Sequence, residues 1–347
     1  MLTVPAGGPL VAEAEKRGAL VRLCPTPVLR KAFLRPRGLL DLAGQAVRSL
    51  VVSVRLVREV RPALVYVNTI TIPLWPVVAA LTRRPLLVHI HEAEGTATLL
   101  IRRLLAIPLF LADSLITNSR FSVDVLSSSF SRLSERCRVI TNGVAGPPSV
   151  QGARPELVGP VRLVYVGRLS HRKGPDLVIE AVAELLARRI PAELHVVGAV
   201  FPGNEAFGAG LRRRIDDLGV GDLVHLDGFQ PSVWPFLADA DIVIVPSRVD
   251  EPFGNTAVEA MLAARPAIVS DTSGLREASA DFASVLRVEP GSSSAIADAV
   301  ADIASSWTAY RTAALLDMDD AEKRNGTAAY RRSILAEVQS LLPNGEP

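Results

Sequence analysis

The sequence predicts an α/β protein built from two doubly wound, Rossmann-like parallel-sheet domains that face each other across a cleft. Three observations carry this. Short apolar runs alternate with helix-like stretches almost throughout, the pattern of parallel strands covered on both faces. The length, 347 residues, is more than one core usually supports. Residues 146 to 160, GPPSVQGARPELVGP, hold four prolines and three glycines without periodicity and read as a linker.

The expected strands of the first half are 19–24, 64–68, 86–90, 114–119 and 138–141, after a short one ahead of Gly7-Gly8. Helices are expected near 9–17, 40–59, 73–82, 98–111 and 121–128. In the second half the strands are expected at 161–167, 192–198, 223–228, 241–247, 266–270 and 283–288, and the tail from Asp320 to Leu342 reads as amphipathic helix. The expected organisation is a first domain over 1–145, a linker over 146–160, a second domain over 161–319 and a helical tail over 320–347. Open parallel sheets bind ligands beyond the C-terminal ends of their strands, so the cleft is where function is expected.

Composition narrows the class. With 49% hydrophobic and 21% charged residues the chain is neither disordered nor low in complexity. Cys24 and Cys137 are its two cysteines, so no disulfide framework is expected and a cytoplasmic setting is. Residues 1 to 15 lack a basic start followed by an apolar run, and no apolar run reaches spanning length. The net charge of +2 hides an asymmetry. Residues 1 to 150 hold 19 Lys+Arg against 9 Asp+Glu, and the remainder 19 against 27. No nucleic-acid partner is expected. Instead, VLRKAFLRPR at 28–37 and the stretch 98–112, with Arg102 and Arg103, interleave cations with apolar residues. Either these apolar residues are core and the arginines solvated, or the basic half makes peripheral contact with an anionic membrane face.

Two segments concentrate chemistry. VYVGRLSHRKGPDLVIEAV reads as strand, basic loop and helix, with Arg168 and Lys173 in the loop and Pro175 at a favoured first helical position. Lysine is rare, four against 34 arginines, so Lys173 stands out from background. In PSRVDEPFGNTAVEAMLAARPAIVSDTSG, Glu251 and Glu259 have seven residues between them. N–H groups over Phe253, Gly254, Asn255 and Thr256 suit a phosphate, Glu259 suits ribose hydroxyls, and Glu251 suits sugar hydroxyls. A capping box between Thr256 and Glu259 is the plainer reading of Glu259. HIHE at 89–92 ends a strand; alternation puts His89 and His91 on one face, with His91 nearer the cleft. Asp239 and Asp241 read as a helix end and a strand start, and no His/Cys cluster has metal spacing.

At VGRLSHRKG, HLDGF (225–229), DIVIVPS, EPFGNTAVEAM and SGLRE, and at HIHE, LITNSRFSVDVL and RVITNGV, the sequence resembles the retaining family 4 glycosyltransferases of GT-B fold. The resemblance runs from about residue 60 onward. It implies transfer of a sugar from a UDP- or GDP-linked donor, with retention, to a sugar or lipid-linked acceptor in cell-envelope glycan, polysaccharide or glycolipid synthesis. It implies no cofactor and no metal. Arg168 and Lys173 would bind the diphosphate, Glu251 the transferred sugar and Glu259 the ribose. The backbone from Phe253 to Thr256 would cradle phosphate and sugar, His91 would lie near the sugar and leaving group, and the base would sit near Phe229 and the loop after Gly198. Such enzymes open with a further strand, glycine-rich loop and helix, so the resemblance implies that this chain begins at the second strand. The rival expectations are a non-catalytic nucleotide-binding chain of the same fold and a sugar-nucleotide epimerase.

Overall fold

The computed structural model describes residues 1–28, 36–92, 98–201 and 203–342, so residues 29–35 of the basic stretch at 28–37 lie outside the described residues. The chain divides into two compact units, one of residues 1–140 with 333–347, the other of residues 141–332.

In the first unit, β1 (Leu2–Val4) and β2 (Val21–Leu23) pair in parallel, with α1 (Pro9–Lys16) between them. A separate parallel sheet has the order β3 (Val65–Val67), β4 (Leu86–Ile90), β5 (Ser114–Thr117), β6 (Cys137–Val139). Its connections are α2 (Pro36–Val60), α3 (Leu74–Thr82), α4 (Leu99–Ala106), the 3-10 turn Ile107–Leu111, α5 (Arg120–Ser127) and α6 (Ser131–Ser134). Every residue of β4 and β5 is buried, as a run without polar alternation requires of inner parallel strands. Trp75, Val78 and Ala79 of α3 and Leu109 of the 3-10 turn pack on Leu86, Val88 and Leu115.

The second unit holds one six-stranded parallel sheet. Its strands are β7 (Val161–Val166), β8 (Ala192–Val197), β9 (Val224–Gly228), β10 (Ile242–Val245), β11 (Ala267–Ser270) and β12 (Val285–Val288), ordered β12-β11-β10-β7-β8-β9. Alternation along β7 sends Leu163 and Tyr165 into the core under α7 (Pro175–Ala187) and α12 (Ser293–Ser305). It sends Val164 to the opposite face, among residues of α9 (Trp234–Asp239) and α10 (Asn255–Leu262). The remaining helices are α8 (Glu205–Leu218), α11 (Ser273–Ala278), α13 (Trp307–Asn325) and α14 (Thr327–Leu341).

Two expected boundaries fall elsewhere. Residues 146–160 lie inside the second unit, which starts at Thr141. They are aperiodic because side chains, not a ladder, pin them: the Arg154 guanidinium pairs with buried Asp241 (2.6 Å) and donates to Pro160 O (2.7 Å), while the Arg154 carbonyl accepts from Trp307 Nε1 (3.0 Å). Residue 320 lies within α13, and the break comes at Gly326. The chain then continues as α14, whose residues from Ser333 belong to the first unit. There Glu337 is buried, accepting from Ser114 Oγ and pairing with Arg138 (2.8 Å). Asp239 ends α9 and pairs with Arg162 (2.8 Å); Asp241 also accepts from the Arg162 N–H (2.8 Å), so both aspartates are occupied structurally.

Candidate functional site

Because all six strands of the second unit are parallel, the loops after β7, β8, β9, β10 and β11 leave one edge of the sheet. Strand β7 is flanked by β10 and β8, so the chain order reverses at β7. A reversal of this kind opens the crevice in which such sheets take ligands. The loops after β7 and β10 carry the residues singled out in the sequence.

Lys173 ends a short 3-10 turn, His171–Lys173, and Gly174 then turns into α7 at φ 67°. A side chain on Gly174 would place its Cβ 2.3 Å from the Pro246 carbonyl, so this glycine lets the two loops touch. Across that contact the Lys173 ammonium donates to both carboxylate oxygens of Glu251, each at 2.7 Å. Glu251 is buried and also accepts from the fully buried Ser247 hydroxyl. Arg248 fastens the same contact. Its guanidinium grips Asp176, in the first turn of α7, at 2.6 and 2.7 Å and reaches the His171 carbonyl at 3.2 Å. Its N–H meets the Arg172 carbonyl (3.0 Å), and Arg172 Nη2 returns to the Asp250 carbonyl (2.7 Å). Arg168 is exposed, its guanidinium over the Phe201 ring at 5.8 Å, and its carbonyl accepts from the buried Tyr165 hydroxyl (2.9 Å). Burial pushes the Tyr165 hydroxyl pKa up, so it remains a donor.

Helix α10 starts at Asn255, with Gly254 at its N-cap and no side-chain cap. Thr256 is therefore inside the helix, its hydroxyl reaching the Val166 carbonyl at 3.5 Å, and the capping box does not form. The Thr256–Glu259 spacing fits one, but Gly254, at φ 142°, takes the cap position instead. Glu259 is left half-buried beside the site, and desolvation raises its pKa to about 7 against a smaller downward pull from Lys173. Asn255 accepts from Asn142 Nδ2 (2.9 Å). Phe253 is buried among Val258, Met261 and Phe282 and anchors the loop from below. Gly274 in α11 lies against that loop, since an added Cβ would sit 2.1 Å from the Glu251 carbonyl and 2.6 Å from that of Phe253. Ser273 N donates to Asp250 (2.8 Å) at the same contact.

Gly198 follows β8, and a Cβ there would lie 1.8 Å from the Gly167 carbonyl, so the first turns after β7 and β8 touch through backbone alone. Phe229, after β9, is 75% exposed and presents its ring to solvent at the same sheet edge. No group of three or more His, Cys, Asp or Glu among the described residues is arranged to hold a metal ion.

His91 belongs to the first unit, just beyond β4. Its Nε2 donates to Asn68 Oδ1 (2.8 Å), and its ring lies 3.9 Å from that of His89, on the same side of the strand. His89 is fully buried, and burial, with a smaller push from His91, lowers its pKa to about 3. It is therefore neutral at ordinary pH, with Nδ1 hydrogen-bonded to the Tyr66 hydroxyl at 2.7 Å. The structure brings Lys173, Glu251 and Glu259 together within the second unit and places His91 in the first. Sequence reasoning missed Ser247, Arg248, Asp176 and Gly274. Gly274 and Ser247 lay in segments that carry the resemblance, SGLRE and DIVIVPS.

A model for "Glycosyl transferases group 1" matches residues 153–314, and one for "Glycosyltransferase Family 4" matches residues 4–145. D-inositol 3-phosphate glycosyltransferase 1 of Catenulispora acidiphila is 31% identical over 222 residues, 59% of this chain and 52% of that protein. Glycogen synthase of Mycobacterium tuberculosis is 30% identical over 64% of this chain and 50% of its own length. The chain thus spans about half the length of the curated relatives it matches. Among solved structures, Anabaena Alr3699/HepE in complex with UDP superposes with a TM-score of 0.82 at 22% identity, covering 98% of this chain and 91% of that one. The galactosyltransferase WaaB of the lipopolysaccharide outer core, in its apo form, gives 0.72 at 16% identity over 95% and 87%. At these identities the likeness is one of fold, the two parallel-sheet α/β domains of GT-B.

Proposed function

The chain belongs to the glycosyltransferases of GT-B fold, matched in both of its halves, and from that premise we propose that it transfers a sugar from a nucleoside-diphosphate sugar to an acceptor with retention at the anomeric carbon. The observation that carries this reading is the Lys173–Glu251 pair at the reversal point of the second sheet, beside half-buried Glu259 and the start of α10. Lys173, Arg168 and the N–H groups from Phe253 to Thr256 meet the leaving diphosphate. Glu251 holds hydroxyls of the transferred sugar, Glu259 those of the ribose, and Phe229 and the turn at Gly198 border the base. The acceptor oxygen bonds to the anomeric carbon as the bond to phosphate breaks, and the leaving phosphate oxygen takes the acceptor's proton. The charge growing on that oxygen is what the cations and helix dipole stabilise, so no resident metal is needed. UDP is favoured over GDP as the donor base because Alr3699/HepE is described with UDP and with UDP-glucose. The acceptor is a sugar or lipid-linked glycan of envelope or polysaccharide synthesis, at the cytoplasmic side.

A thermal-shift screen of UDP- and GDP-linked hexoses identifies the donor, release of nucleoside diphosphate measures turnover, and NMR of the product reads the anomeric configuration. Lys173→Ala is expected to keep its fold and lose on the order of a hundredfold in turnover. Donor binding without turnover by any acceptor would make the chain a non-catalytic binder. Release of a 2-epimer would make it an epimerase.

A further inference from the structure

The stretch 98–112 contains no acidic residue and two arginines, Arg102 and Arg103, among leucines, isoleucine and phenylalanine. If the apolar residues were core, they would be buried. Ala106 and Leu109 are, but the larger number are not: Leu100 is 69% exposed, Leu104 57% and Ile107 52%, and Leu99, Phe110 and Leu111 are exposed as well. At 100° per residue, Leu99, Arg103, Leu100 and Leu104 fall in order along one outward arc of α4. Ile101, Leu105 and Ala106 are the less exposed side, with Ala106 buried in the core of the unit. A surface helix normally turns a polar face to water. This one turns leucines outward, with one arginine among them.

The patch continues past the helix. In the 3-10 turn, Ile107 and Phe110 are three residues apart and eclipse on one side. The Phe110 ring meets Phe130 edge-on at 5.3 Å, and the Arg103 guanidinium lies over the same Phe130 ring at 5.8 Å. Arg102, on the flank, donates to Ser128 Oγ at 2.8 Å. Helix and turn thus present one apolar surface with a cation built into it.

We propose that this face of α4 and the following turn docks the chain on an anionic lipid surface. The helix of eight residues is too short to cross a bilayer, and no described helix is long and apolar enough to do so, so the face lies in the interface. Charge selects the occupant. A second copy meeting this face about a twofold axis would bring Arg103 towards its own equivalent with no carboxylate from the segment to compensate. Anionic headgroups supply the missing negative charge while the leucines enter the acyl boundary. The excess of basic residues in the first 150 positions points the same way. The inference does not rest on the proposed transfer reaction.

Flotation of the full chain with phosphatidylcholine vesicles containing phosphatidylglycerol, against phosphatidylcholine alone, is the test. The chain is expected to float with the anionic vesicles at low salt and to be released at high salt, where screening shortens to about 3 Å. Arg103→Gln should lower partitioning roughly fivefold, and Leu100→Gln with Leu104→Gln roughly tenfold or more. These side chains are exposed, so melting curves of the variants should match the parent, and UDP affinity should not change. Absence of flotation, or equal flotation with neutral vesicles, would overturn the proposal. A lipid-free dimer dissolved by Leu104→Gln would also overturn it, assigning the face to a second copy.

Discussion

Arg248 and Asp176 make a prediction that separates positioning from direct contact at the proposed donor site. Neither was expected to touch a ligand, yet their pairing joins the turn that carries Lys173 to the loop that carries Glu251. The two side chains are 18% and 20% exposed, between the surface pairs worth almost nothing and the buried pairs whose rupture costs several kcal/mol. Asp176→Ala leaves the Arg248 guanidinium with one carbonyl partner, and about 2 kcal/mol of destabilisation is expected, or roughly 4 to 8 °C for a unit of this size. The effect on function should be larger than that of a comparable surface pair, because a displacement near 1 Å at Lys173 can cost up to about a hundredfold in turnover. The assay is calorimetric titration with UDP and release of UDP from donor for Asp176→Ala, Arg248→Ala and the double variant. Coupling of about 1 to 3 kcal/mol is expected between the two changes. Arg248→Lys should rescue poorly, since an ammonium cannot hold a carboxylate in two parallel bonds. The exposed Arg162–Asp239 pair is the control. Unchanged UDP affinity with additive single effects would refute the latch.

The remaining expectations concern the same loops. Burial raises the Glu259 pKa to about 7 from an ordinary 4.5, so this group favours the folded state below about pH 4.5 and becomes a penalty as pH rises through 7. Glu259→Gln should therefore melt higher than the parent at pH 8, with the gain vanishing toward pH 4, while binding UDP more weakly; equal UDP affinity would remove the ribose role. Gly274→Ala must displace the Glu251 and Phe253 carbonyls and should cost about 1 to 3 kcal/mol together with UDP affinity, and a melting curve like the parent's would show that the contact is loose. Turnover should persist in excess EDTA; complete loss restored by Mg²⁺ or Mn²⁺ would mean that metal assists the leaving group.

What the sequence made legible follows from local physics. The strands of both units lie where apolar runs placed them, because inner strands of a parallel sheet are covered on both faces and so are mostly apolar. Lys173 and Glu251 were legible by rarity and spacing. Arg248 and Asp176 were not, because 72 residues separate two ordinary charged positions and only the sheet order brings β7 and β10 side by side. The capping box misled for a related reason. Its spacing is local, but the position at which α10 starts is set by Gly254, which packs against Leu275. The apolar stretch 98–112 read equally well as core, since periodicity does not say which side of a short helix faces water. The segment 146–160 looked like a linker because hydrogen bonds from Arg154 and Trp307, rather than any repeating pattern, hold it in place.

The charge arrangement around Lys173 also bears on how such a site would treat its donor. Glu251 uses both oxygens on one ammonium, and Glu259, whose pKa burial raises to about 7, is half neutral near that pH. A diphosphate needs cations. Arg168 can turn from Phe201 without breaking an ion pair, whereas Lys173 can turn only by loosening its hold on Glu251. Glu251 is buried, so a carboxylate left there without its lysine is costly unless other donors replace it. Sugar hydroxyls are such donors, and a free nucleoside diphosphate has none to offer at that position. On the proposed reading, the same ion pair ties recognition of the charged part of the donor to recognition of its neutral part. The intact nucleotide sugar then satisfies both partners, while the product nucleotide satisfies only the lysine. That difference favours release of the product once the sugar has left.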